Sequence, residues 1–227
     1  MKKRTLNRRA LISTAVFKSI AVAFVLLMST HLSISYADEG VDKHPTLAAE
    51  LLIVRSDLDR LSLHSQLPQR HAQGLRDRVK GGLGVLPWLL EQAGDFQGAK
   101  KLRAYKASST HRSGAMIKLL DMLIESHPLN TQRYYPRHLT MRQYREARLI
   151  HDSYCAGCHD NAGQGDKSTL LPARDLKLMA LEASPRIFLA RLINGVKGDH
   201  TILFENPLTV DQVSSLWWLY SQENNEE

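Results

Sequence analysis

Beyond residue 44 the apolar residues recur at intervals of three and four, and nowhere do they alternate at the period of two that a half-buried strand needs. That periodicity restricts the chain to an all-α fold. In PTLAAELLIVRSDLDRLSLHS (45–65), Pro45 and Thr46 open a helix, and Leu47, Leu51, Val54, Leu58 and Leu61 share one face. Residues 68–82 read as a more polar helix closed by Gly81 and Gly82. Residues 86–95 read as a short one entered at Pro87 and ended near Gly94. Further helices are expected in 96–108 and 113–128; in the latter, Met116, Leu119, Leu120 and Leu123 lie on one face and Pro128 ends it. Residues 38–130 thus form a helical bundle whose Leu and Met stripes are core.

The first residues have a different character. Lys2, Lys3, Arg4, Arg8 and Arg9 precede an apolar run from Ser19 to Ser29, and Ser35-Tyr36-Ala37 places small residues where a signal peptidase reads. Residues 1–37 are expected to be a secretory signal peptide cleaved after Ala37. The apolar run is shorter than the roughly 20 residues that cross a bilayer. If the segment were retained, the chain would be membrane-anchored; if cleaved, no transmembrane span remains. The segment holds six of the chain's 30 Lys and Arg and no acidic residue, so the remainder carries 24 basic against 23 acidic residues. The formal charge of +7 therefore belongs to the export signal. It argues against nucleic-acid binding, which needs a persistent basic face.

LNTQRYYPRHLTM (129–141) is the boundary to a second half with helices expected at 140–154, 183–194 and 210–221, the last capped by Thr209 with Asp211-Gln212 behind it. Long glycine-rich loops separate these helices. This half contains both cysteines, Cys155 and Cys158, with His159 directly after the second in SYCAGCHDNAGQGD. Thiols at i and i+3 lie on one side of a helical turn, where both reach the vinyl groups on one porphyrin edge, and the turn brings His159 beneath the iron. The C-x-x-C-H pattern is that of covalent c-type haem attachment. The competing readings fit less well. A thioredoxin-like pair expects a preceding strand, a structural zinc needs two more ligands, and a disulfide leaves the adjacent histidine unexplained.

Residues 140–223 resemble a class I (mono-haem) cytochrome c domain. ARLIHDSYCAGCHDNAGQGD resembles its first helix and haem turn, LPARDL its proline segment, ARLINGVKGD its second helix and glycine turn, and LTVDQVSSLWWLYSQ its last helix. The resemblance implies a helical domain wrapped around one covalent haem c. Cys155 and Cys158 are then the thioether anchors and His159 the proximal iron ligand. The carbonyl of Pro172 accepts from His159, and Tyr220 packs against the first helix. Arg174 is either a partner of a haem propionate or an exposed arginine. The family's distal methionine is missing, and no methionine occurs after Met179. His200 is the first candidate for sixth ligand and Met179 the second; His71, His111 or His138 of the other half, or an open site, are the remaining possibilities.

The expected function is that of a periplasmic electron carrier whose partners are periplasmic redox proteins, with residues 38–139 a surface on which one docks. The alternative is a haem-based binding or sensing module, or a peroxidase-like enzyme, with an open or exchangeable sixth position. The sequence places no catalytic acid or base near the motif.

Overall fold

Residues 44–63, 68–107, 113–160, 174–195 and 206–222 are described by the computed structural model. The expected signal peptide, Pro172, His200 and His111 lie outside them. Helices account for the regular structure, with no strand among the described residues, and all of these residues belong to one compact unit.

Helix α1 (Pro45–Leu63) sits at the centre. Every residue from Leu47 to Val54 is buried, including Glu50. A stretch that is apolar on all sides must be covered on all sides, and two sets of neighbours do this. On one side, Leu47, Leu51 and Val54 join α2 (Gln69–Gln92), α3 (Phe96–Ala107) and α4 (Ser113–Ser126) in a core that includes Val79, Leu86, Leu90, Leu102 and Leu120. On the other, Ala48, Ala49, Leu52 and Ile53 meet Leu129, Tyr134 and the helix Pro185–Asn194.

Helix α2 corrects two expectations. It runs unbroken through Gly81, Gly82 and Pro87. Gly82 lies where α1 crosses: a Cβ there would come within 2.3 Å of Val54 Cγ2 and 2.7 Å of Glu50 Oε1. The glycine serves helix approach and does not end the helix. Pro87 costs one backbone hydrogen bond, but Leu86, Leu89 and Leu90 around it are buried, and that burial keeps the helix continuous.

After a 3₁₀ turn (Gln132–Tyr134), α5 (Met141–Ile150) begins with a capping box between Thr140 and Gln143. It continues into a π-helical segment (His151–Cys155) and then α6 (Ala156–His159). Helices α7 (Leu176–Glu182), α8 (Pro185–Asn194) and α9 (Val210–Gln222) complete the described chain. Helix α7, capped by Asp175, was not expected from the sequence; at seven residues it is too short to display a period. Thr209 and Gln212 cap α9 reciprocally, as the sequence implied. Helix α8 stops at Gly195, whose φ of 61° is a conformation L residues avoid. Ala147, Ile150, Leu176, Phe188, Leu216, Leu219 and Tyr220 form the third core.

No helix among the described residues is long and apolar enough to cross a membrane.

Candidate haem-attachment site

Cys155, Cys158 and His159 lie on the helical run that begins at Thr140. The π-helical segment ends at Cys155 and α6 carries the other two residues. A π turn widens the helix by one residue and rotates the residues beyond it, and such segments concentrate at functional sites. Here it leaves Cys155 half-buried against the third core and Cys158 exposed, both as free thiols.

Among the described residues, one hydrogen bond holds His159. Its Nδ1 is 2.6 Å from the backbone oxygen of Arg174. A carbonyl can only accept, so Nδ1 carries the proton and, in the neutral ring, Nε2 carries the lone pair. This arrangement fixes the tautomer of a metal-binding histidine. The resemblance implied an acceptor at Pro172, which lies outside the described residues; among these, the carbonyl of Arg174 faces the ring.

His151, one π turn before Cys155, lies between two groups. Its Nε2 is 3.2 Å from Asp160 Oδ1, and its Nδ1 is 2.9 Å from the Tyr220 hydroxyl. In the neutral ring Nε2–H donates to the Asp160 carboxylate, which leaves Nδ1 to accept from the Tyr220 hydroxyl. Tyr220 is buried in the same core as Ala147 and Ile150 of α5, and meets Phe188 edge-to-face at 6.0 Å. Burial raises its pKa, and the neighbouring Cys155 and Asp160 raise it further. Burial also pushes the Cys155 thiol up, against a hydrogen bond with Tyr220. Cys155 is therefore held as a thiol, not as a thiolate. Sequence reasoning missed His151 and Asp160. They lie nine apart, so no short motif joins them; only the π segment brings them together.

Among the described residues, no three His, Cys, Asp or Glu side chains converge on a point that holds a metal ion. Of the candidate distal ligands, Met179 is partly buried against the same core as Cys155. His71 is half-buried on α2 and His138 is exposed. The side chain of Arg174 pairs with Glu182.

A group of arginines lies beyond Arg174. Asp57, whose side chain is 1% exposed, receives Arg78 Nε at 2.5 Å, Arg78 Nη2 at 2.6 Å and Arg191 Nη2 at 2.8 Å. Glu50 receives Asn194 Nδ2 at 2.9 Å. These contacts tie α1 to α2 and α8 by buried charge. Glu50 and Asp57 lie seven apart beside the apolar stripe of α1, which was the signal available in the sequence.

No family model, curated protein or solved structure matches this chain.

Proposed function

We propose that this chain is an exported c-type cytochrome that carries single electrons through one covalently bound haem. The observation that carries the reading is the His159 ring: its Nδ1 proton is committed to the Arg174 carbonyl, so Nε2 is the nitrogen with a free lone pair. Its neighbours Cys155 and Cys158 are free thiols. In this reading the two cysteines hold haem by thioether bonds and His159 Nε2 ligates its iron, and the bound haem supplies a one-electron couple. The Arg174 carbonyl keeps the imidazole oriented and its tautomer fixed. The class I cytochrome c resemblance of residues 140–223, and export directed by residues 1–37, belong to the same proposal.

Expression of the full chain with a c-type haem maturation system tests it. The product carries haem that survives denaturation, and replacing both Cys155 and Cys158 by alanine abolishes it. A wild-type product free of covalent haem overturns the reading.

The second reading, a sensing module or peroxidase-like enzyme with an open or exchangeable sixth position, draws on the packing of Met179 into the core beside Cys155. Carbon monoxide separates the two. An electron carrier with a stable sixth ligand such as His200 binds it slowly and weakly in the reduced state, and rapid tight binding favours the open site. His200→Ala removes a bis-imidazole low-spin spectrum if His200 is that ligand.

A further inference from the structure

The Tyr220 side chain is buried, yet its hydroxyl begins a hydrogen-bonded chain that leads to solvent. The hydroxyl is 2.9 Å from His151 Nδ1, and His151 Nε2 is 3.2 Å from Asp160 Oδ1, on a side chain that is 49% exposed. Packing alone asks only that a buried phenol find an acceptor, and a backbone carbonyl would serve. An imidazole backed by a carboxylate does more. It can take the phenol's proton outright, and the carboxylate then stabilises the imidazolium that forms. The place of the chain matters equally. His151 opens the π-helical segment that ends at Cys155, and Cys155 packs at the margin of the core that holds Tyr220. The phenol and its base thus lie beside the proposed haem attachment, a use that burying an aromatic ring does not require.

A protein with one haem holds one electron in its reduced state, whereas cleaving a peroxide takes two. We infer that Tyr220 is a redox-active tyrosine that supplies the second electron when the reduced protein meets hydrogen peroxide, its proton passing to His151. Of the two electrons, one comes from the ferrous haem and one from Tyr220. The peroxide O–O bond breaks and, with two protons from solvent, yields two molecules of water. The phenol O–H bond breaks as its proton moves to His151 Nδ1, leaving a neutral phenoxyl radical beside an imidazolium paired with Asp160. The inference rests on the haem proposed at Cys155, Cys158 and His159, and on the second reading of that site, in which the sixth position is exchangeable.

The test uses the full chain with covalent haem, verified first by its alkaline pyridine spectrum. Absence of haem in the wild type overturns the haem assignment and this inference together. With haem present, the reduced protein is freed of excess reductant, mixed with hydrogen peroxide, frozen rapidly and measured by electron paramagnetic resonance. A tyrosyl radical forms, and its hyperfine pattern narrows in protein grown on ring-deuterated tyrosine. Tyr220→Phe keeps the ring and the haem but loses the radical. His151→Gln lowers the radical yield, because an amide accepts a hydrogen bond but not a proton. Tyr154→Phe, at a tyrosine that is 78% exposed, leaves the radical unchanged.

A haem-bearing wild type that is oxidised by peroxide without a tyrosyl radical overturns the inference and leaves the haem assignment standing. A radical that survives in Tyr220→Phe does the same. If Tyr220→Phe does not fold, an undiminished yield in His151→Gln overturns it equally. A reduced wild type that does not react with peroxide rules out the exchangeable position, and this inference with it, while the covalent haem stands.

Discussion

The core enclosed by α1–α4 and the core formed by α5, α7, α8 and α9 differ in how they are closed. In the first, Leu51, Leu86, Leu90, Leu102 and Leu120 are fully buried by helices of the same half. The second has Tyr220, Phe188 and Leu216 at its centre but keeps Cys155 and Met179 only partly buried at its margin. Further apolar surface on α8 and α9 is covered by α1, from the other half. One half thus makes a closed bundle and lends a helix; the other relies on that helix, and in the proposed function on haem, to complete its packing. Helix α1 is therefore common to both halves, and the polar linker at 129–141 marks no break in packing.

Removing the buried charge that joins the halves puts the greatest load on this contrast. Asp57→Ala leaves Arg78 and Arg191 without their carboxylate and costs about 3–5 kcal/mol, read from urea unfolding. Because Arg78 comes from α2 and Arg191 from α8, the loss shows in probes of both halves. Retention of one half's stability would mean that the halves fold separately.

Core truncations come next. Leu120→Ala, in the closed bundle, and Leu189→Ala, in the core shared with α1, each cost about 2–5 kcal/mol. Both move one common transition. Two separated transitions in Leu120→Ala, one unshifted, would sink the shared-helix account.

Gly82→Ala probes the α1–α2 crossing inside the closed bundle. Alanine improves helix propensity by about 1 kcal/mol, but its Cβ meets Val54 and Glu50 inside contact distance. Overpacking of about 1–3 kcal/mol makes the variant less stable on balance, whereas a gain in thermal stability would show that the crossing relaxes freely.

The smallest effect concerns pH. Asp95 accepts from the Gly98 N–H at 2.7 Å and lies 3.0 Å from His127 Nε2. Burial works to raise its pKa, yet these bonds outweigh it and hold the carboxyl below its ordinary value. A group depressed in the folded state contributes stability above its unfolded pKa and loses it as pH falls through the folded one. Asp95→Asn therefore flattens the acid limb of the stability profile of the closed bundle, below the usual carboxylate range, and changes little in slope at neutral pH. An acid limb of unchanged slope would show that the bonds contribute nothing there.

Local chemistry was legible wherever a short pattern carried it. The face Leu47, Leu51 and Val54, the Thr209–Gln212 cap and the end of α4 before Pro128 are where the sequence implied. Gly81, Gly82 and Pro87 misled, because backbone propensity worth about 1–3 kcal/mol yields to the burial of several leucines. The C-x-x-C-H pattern is legible in five consecutive residues, but the carbonyl that faces His159 is fixed only by tertiary packing.

Spacing between near neighbours was enough to settle the helical class of the described chain and the clustering of two thiols and an imidazole within one turn. It could not say that Arg174 holds the His159 ring, that His151 bridges Asp160 and Tyr220, or that Asp57 joins three helices. Those contacts arise only in the packed molecule. They pair residues far apart in the chain, and their partners are selected by burial and charge once the helices meet, not by any local pattern.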